Sequence, residues 1–256
     1  MKLTLIQPDI IWENKLRNLE KLGERISGIP AGTDIVILPE MFSTGFSMNP
    51  VELAESPQSV TFDWMHDIVA KFNFGICGSY IVSENNNFYN RWIFVSPDSE
   101  VWIYDKRHLF SIGGEEALFT RGEERVVFKF RGIRICPNVC YDLRFPVWSR
   151  NRNDYDLLIN SANWPESRRD VWITLLKARA LENQCFVAGV NRIGIDGTGI
   201  KYCGDSMILG PKGEIIAEGK QNEESTVTGK ISIDELSDFR KKFPVLDDAD
   251  EFKIEI

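Results

Sequence analysis

The chain has 256 residues, 43% of them apolar and 27% charged, with a net charge of −8. That length and composition suit one large α/β domain, or two small ones, with a sizeable core. The negative charge argues against a nucleic-acid groove, which needs clustered Lys and Arg. It leaves room for a small anionic ligand, because one local arginine can bind a carboxylate against the global field.

The first residues, MKLTLIQPDIIWEN, carry no long apolar stretch and no small-residue cleavage site, so no signal peptide is expected. No apolar run approaches the length that crosses a membrane. The expected compartment is the cytoplasm.

In chain order, residues 2–7 alternate like a strand. Residues 13–28 place Leu16, Leu19, Leu22 and Ile26 at helical spacing. DIVIL at 34–38 reads as a buried strand closed by Pro39. A second helix fits 58–72, with Val60, Trp64, Ile68 and Phe72 on one face. Strands are predicted at 75–82, 90–95, 100–104, 125–130 and 132–139, then at 156–162. The helix at 169–184 is given an inner face of Val171, Leu175, Ala178, Ala180 and Leu181. Strands follow at 185–192 and 205–210, and GPKGEIIAEG reads as a turn and hairpin. A short acidic helix and tail close the chain from about 234. No repeat or linker divides the sequence, which predicts a single domain over 1–256. Several central strands follow one another without a helix, so the sheet should be mixed, and two stacked sheets are plausible.

The five cysteines, Cys77, Cys136, Cys140, Cys185 and Cys203, are odd in number and irregularly spaced. They are expected to be free thiols. No C-x-x-C pair or histidine partner suggests a metal site. Cys136 and Cys77 read as strand-interior residues, Cys185 as the start of a strand, and Cys203 as part of a Gly-rich turn. Only two histidines are present. His66 falls on the second helix, and His108 is expected to fix a loop by hydrogen bonds.

Three polar residues stand just beyond apolar strands: Glu40 after DIVILP, Lys106 after VWIYD and Cys140 after IRICPNV. Ligands collect beyond the carboxyl ends of strands in α/β sheets. Each residue alone has an ordinary reading, as a surface acid, a solvated amine or a small core side chain. Together they make coherent chemistry. A thiol attacks a carbonyl as thiolate and needs a base or a cationic neighbour. With histidine scarce, a partly buried carboxylate can be the base. A lysine balances that carboxylate and stabilises an oxyanion, and the Tyr141 N–H would be a second donor if a helix begins there. No G-x-S-x-G elbow, P-loop or dinucleotide fingerprint accompanies them. A redox pairing of Cys136 with Cys140 is disfavoured by the spacing and by Pro137.

At these positions the sequence resembles the nitrilase superfamily of carbon–nitrogen hydrolases over nearly its whole length. ILPEMFSTGF is similar to the family's glutamate motif, YDKRHLF to its lysine motif and VCYDLRFP to its nucleophile motif. EALFTRG places Glu115 as a second glutamate relative to Gly122, with Glu116 the adjacent alternative. CYDLRFPVWSRN and ANWP resemble the bacterial omega-amidase branch, although Pro137 and Asn138 stand where small residues are frequent. The resemblance implies a four-layer α-β-β-α sandwich of two mixed sheets and a homodimer or larger homo-oligomer. It implies hydrolysis of the terminal amide of small 2-oxo acid amides, such as 2-oxoglutaramate or 2-oxosuccinamate, through a cysteine thioester. No metal or organic cofactor is implied. The alternatives are another amidase of this type, for deaminated glutathione or a carbamoyl amine, or a non-catalytic oligomeric binding protein on the same fold. For the substrate carboxylate, Arg144, Arg168 and Arg169 are candidates, Arg144 being read first as a structural ion pair with Asp142. Phe46 and Trp164 are candidate pocket walls.

Overall fold

A computed structural model describes residues 1–255. Its elements in chain order are β1 (Lys2–Gln7), α1 (Lys15–Ser27), β2 (Ile35–Ile37), α2 (Pro50–Leu53), α3 (Val60–Phe72), β3 (Gly75–Glu84), β4 (Asn87–Val95) and β5 (Val101–Asp105). There follow β6 (Phe128–Phe130), β7 (Ile133–Val139), α4 (Pro146–Ser149), β8 (Leu157–Ser161) and α5 (Arg169–Asn183). The chain closes with β9 (Phe186–Val190), β10 (Ile193–Ile195), β11 (Lys201–Cys203), β12 (Met207–Leu209), β13 (Ile215–Glu218), β14 (Ser225–Lys230) and α6 (Ile233–Lys242).

Two six-stranded mixed sheets result. One runs β14-β1-β2-β3-β4-β5 and the other β13-β12-β9-β8-β7-β6. In each, a parallel centre is flanked by antiparallel strands: β1-β2-β3 in the first and β7-β8-β9 in the second. The sheets face each other across one core, where Leu3, Ile37 and Trp92 meet Ile135, Ile159 and Ala188. The alternating strand residues cover the outer faces. Ile6, Val36 and Ile76 pack under Leu19, Leu22, Met65 and Val69 of α1 and α3. Leu158 and Val187 pack under Trp172, Leu176 and Ala180 of α5. The four layers are α-β-β-α, as the resemblance implied. Between the sheets, Ser161 Oγ donates to the Leu38 carbonyl at 2.8 Å and accepts from the Trp92 indole at 3.2 Å. That cross-tie holds the end of β2 against the end of β8.

Local chemistry explains the elements. Asn14 caps α1 by accepting from the Arg17 N–H. Asn85 and Asn86, at φ +51° and +63°, make the left-handed two-residue turn that suits the twist of the β3–β4 hairpin. In α6, Asp234 and Glu235 sit in the first turn and Arg240, Lys241 and Lys242 in the last. This matches the helix dipole, so the helix is charge-balanced and not acidic as expected.

Two helix faces differ from the expected ones. In α3 the buried stripe is Thr61, Met65, Ile68 and Val69. Val60 is exposed, and Phe72 leaves the stripe to stack on Phe74. In α5 the buried residues are Trp172, Leu176, Arg179, Ala180 and Asn183, one position round from the apolar guess, and Leu181 is exposed. Two polar side chains turn inward there because backbone needs them. Arg179 donates to the Leu143 carbonyl, and Asn183 Oδ1 accepts from Asn151 N–H at 2.9 Å. Leu16, placed on the inner face of α1, is 70% exposed. The strands β10, β11 and β14 were not anticipated, being short or polar in alternation, and Cys203 lies on β11 instead of in a turn.

Gly122 is held against the end of β5: its N–H donates to the Lys106 carbonyl at 2.9 Å, and a Cβ there would lie 2.0 Å from the Asp105 carbonyl oxygen. Gly122→Ala should therefore push the backbone at Asp105 and Lys106 outward and cost about 1–3 kcal/mol, read as a lower urea midpoint. An unchanged midpoint would mean that this approach does not constrain the strand end.

Candidate active site

Glu40, Lys106 and Cys140 stand three, one and one residues beyond β2, β5 and β7. Asn163 stands two residues beyond β8. All four strand ends open on the same place, because β2, β7 and β8 are central strands and β5 runs parallel to β3 through β4. Cys140 begins a tight 3-10 turn, Cys140–Arg144, with φ at +44°. A left-handed φ in a residue with a side chain stores about 1–3 kcal/mol of strain and persists only when neighbours hold it.

The side chains of Glu40, Lys106 and Glu115 are fully buried in contact with one another. Lys106 Nζ donates to Glu40 Oε1 at 2.8 Å and to Glu115 Oε2 and Oε1 at 2.8 and 3.1 Å. Asn90 Nδ2 bridges the two carboxylates at 2.8 and 3.0 Å, and its own Oδ1 accepts from Ser79. Phe110 N–H donates to Glu115 at 2.7 Å, and Asn163 N–H to Glu40 Oε2 at 3.0 Å. Glu115 is thus the second glutamate of the site, while Glu116 faces solvent. Burial pulls the Lys106 ammonium down, but Glu115 and Glu40 more than offset it, so lysine stays charged. Burial, with Glu40 nearby, pushes Glu115 up, against the pull of Lys106. Burial also pushes the Cys140 thiol well up; Glu40 adds to this and Lys106 opposes it. The resting thiol therefore keeps its proton beside a carboxylate.

Asp142 is a hub that sequence reasoning missed. Its Oδ2 accepts from Tyr104 Oη at 2.7 Å and from Val139 N–H at 2.9 Å. Its Oδ1 accepts from His108 N–H at 2.9 Å and lies 2.8 Å from His108 Nδ1. The His108 ring stacks on Phe145 at 3.7 Å. The cysteine turn and the lysine loop are thereby pinned together, and His108 fixes its loop as expected. Because Asp142 is fully engaged in this way, the ion pair expected with Arg144 does not form.

Arg144 instead lines a cavity of about 130 Å³, with Cys140 and Lys106 also in its wall. Phe46, Trp164, Tyr141 and Arg168 line it too. The Arg144 guanidinium lies over the Trp164 ring at 5.0 Å and that of Arg168 over Phe110 at 5.2 Å. Among the described residues no carboxylate pairs with either. Arg169 departs from expectation: Asp205 binds it in a bidentate pair at 2.8 and 2.9 Å, away from the cavity. One cavity wall, from the β10–β11 hairpin with Asp196, Thr198, Ile200 and Tyr202, had no signal in the sequence. A larger groove of about 680 Å³ runs beside α6, but its Arg134 and Arg240 are paired to Asp156 and no thiol lines it among the described residues.

The two neighbouring cysteines differ as expected. Cys136 is buried within β7, where burial pushes its thiol up to about 12. Cys140 is partly exposed, and all five cysteines are free.

These features accord with the known proteins that the chain matches. The family model for carbon-nitrogen hydrolases covers residues 2–241. The chain is 43% identical to omega-amidase YafV of Escherichia coli K12, over 99% of its own length and 98% of that protein. It is 34% identical to a 2-oxoglutaramate amidase of Bacillus subtilis, over 97% of the chain and 98% of that protein. The crystal structure of XC1258 from Xanthomonas campestris, a CN-hydrolase superfamily protein with an arsenic adduct in its active site, superposes with a TM-score of 0.97 at 38% identity, covering 100% of this chain and 99% of that one. The chain belongs to the carbon-nitrogen hydrolase family of the nitrilase superfamily.

Proposed function

We propose that this protein is an omega-amidase that hydrolyses the terminal carboxamide of a small 2-oxo acid amide, such as 2-oxoglutaramate or 2-oxosuccinamate, to the acid and ammonia. The observation that carries the substrate class is the cavity itself. A thiol opens into it, and two guanidinium groups free of carboxylate partners stand in its wall. Phe46 and Trp164 enclose the short chain, and Arg144 and Arg168 take the carboxylate.

In the proposed reaction Glu40 takes the Cys140 proton as sulfur attacks the amide carbon. Lys106 Nζ and the Tyr141 N–H receive the charge that develops on oxygen. Glu40 then gives the proton to nitrogen, ammonia leaves and a thioester remains. Glu40 next deprotonates water, which attacks the thioester, and returns that proton to sulfur as the acid departs. Glu115 keeps Lys106 in place. The reading takes the enzyme as cytoplasmic, binding neither nucleic acid nor membrane, and as a homodimer or larger homo-oligomer. The exposed Val147 of α4 and Leu181 of α5 are available for that contact.

Cys140→Ala should abolish ammonia release from 2-oxoglutaramate while leaving the melting curve in place; turnover in that variant would overturn the scheme. Replacing Arg144 with Met should raise KM for 2-oxoglutaramate by tenfold or more, about the worth of one charge-assisted hydrogen bond, with a smaller change in kcat. An unchanged KM would place the carboxylate elsewhere. The thiol gives a pH test. Glu40 raises the Cys140 pKa and Lys106 lowers it, so Glu40→Gln should lower it. Iodoacetamide should then alkylate Cys140 faster at pH 7 in that variant than in the native enzyme, although amide turnover is lost. Slower alkylation would contradict the assigned role of Glu40, and a native profile like that of a free cysteine would favour a non-catalytic binding protein.

A further inference from the structure

Phe110 lies in the loop after β5, and its main chain and its ring serve different parts of the site. The main chain closes the turn that carries Glu115. The Phe110 N–H donates to Glu115 Oε2 at 2.7 Å. The Phe110 carbonyl accepts from the Gly113 N–H at 3.0 Å and from the Glu115 N–H at 3.3 Å. Glu115 Oε2 in turn accepts from Lys106 Nζ at 2.8 Å. The place of the ammonium therefore follows the place of Phe110.

The ring is part of the cavity wall. It lies down on Gly113, where a Cβ would come within 2.6 Å of its Cδ1. Neighbouring rings hold it there: Tyr141 meets it edge-on at 5.1 Å, and Phe46 lies at 6.5 Å. The Arg168 guanidinium stands over its face, 5.2 Å from the ring centre. Among the described residues no hydrogen bond and no carboxylate holds that guanidinium, so the ring is the contact that sets its position. A guanidinium is drawn to the negative face of an aromatic ring, more strongly where water is scarce.

A substrate with an amide at one end and a carboxylate at the other meets both parts of Phe110. Its carboxylate meets Arg168, and its amide oxygen meets Lys106. One residue thus spans from the anchor to the ammonium, through its ring on one side and through Glu115 on the other. Reacting groups gain rate when they are held in the right mutual geometry. Contact with a remote part of a substrate raises kcat only when it is coupled to the reacting centre.

We propose that Phe110 is a positioning residue that registers Arg168 against Lys106, so that the substrate carboxylate raises the rate of amide cleavage as well as binding. This rests on the reading of Arg168 as part of the carboxylate site. Phe110 takes no part in bond making.

The readout is the ratio of kcat for 2-oxoglutaramate to kcat for butanamide, which has no carboxylate. The native enzyme should favour 2-oxoglutaramate in kcat. Phe110→Leu keeps the main-chain N–H and removes the ring. It should lower the ratio about fivefold, in the range of one partly desolvated cation–π contact. Phe110→Met should act alike, and Phe110→Tyr, which keeps a ring, should stay within about twofold of native. Arg168→Met should also lower the ratio, and adding Phe110→Leu to it should lower the ratio no further, because residues that act as a unit are not additive. A general loosening of the loop would slow both amides alike. An unchanged ratio in Phe110→Leu and Phe110→Met, or additive losses with Arg168→Met, would overturn the inference. If Arg168→Met raises KM for 2-oxoglutaramate while the Phe110 variants leave the ratio unchanged, the carboxylate site stands and the inference falls. If Arg168→Met changes neither KM nor the ratio, both fall.

Discussion

The site depends on one electrostatic constraint: two carboxylates share a single buried ammonium. Glu40 and Glu115 both close on Lys106 at 2.8 Å, with all three side chains buried. Removing the lysine from such a group leaves uncompensated buried charge, a loss of about 3–5 kcal/mol. Asn90, Phe110 N–H and Asn163 N–H supply the remaining donors, so each carboxylate is held by position as well as by charge. Burial of the Cys140 thiol, with Glu40 beside it, leaves that thiol protonated at rest.

Geometry has to be held as tightly as charge. Cys140 adopts a strained φ, and Asp142 is the residue that maintains it, binding the backbone on one side of the turn and the lysine loop on the other. Arg179 holds the same turn from α5 through the Leu143 carbonyl. The Cys140 turn is thus clamped from both sheets and from one outer helix, and its hydrogen bonds are mostly to backbone.

The legible part of the sequence was the part in which polarity broke an apolar run. Glu40, Lys106 and Cys140 each interrupt the pattern at a strand end, so order and context singled them out, and the run of central strands indicated two sheets. Residues that serve other residues left no such mark. Asn90 sits within β4 and Asp142 within a five-residue turn, where their types are common for ordinary reasons. The α5 face was misplaced because hydrophobic periodicity cannot register Arg179 and Asn183 turning inward to bind backbone. The Arg144–Asp142 pair failed for a related reason. Proximity in sequence suggested it, but four other contacts had taken the acid, and the freed arginine became part of the cavity. The hairpin wall bearing Asp196 and Tyr202 was invisible because its two strands are three residues each.

The central claim is that Cys140 carries the acyl group between two chemical steps. Partitioning tests it most directly. Hydrolysis of 2-oxoglutaramate and of the matching methyl ester is run in the presence of ethanol, which leaves the 2-oxo group intact, and the ratio of ethyl ester to free acid is measured for each. A common thioester predicts the same ratio from both substrates at every ethanol concentration, because the leaving group has gone before the nucleophile arrives. Ratios that differ between amide and methyl ester, or an amide reaction that yields no ethyl ester, would contradict the account.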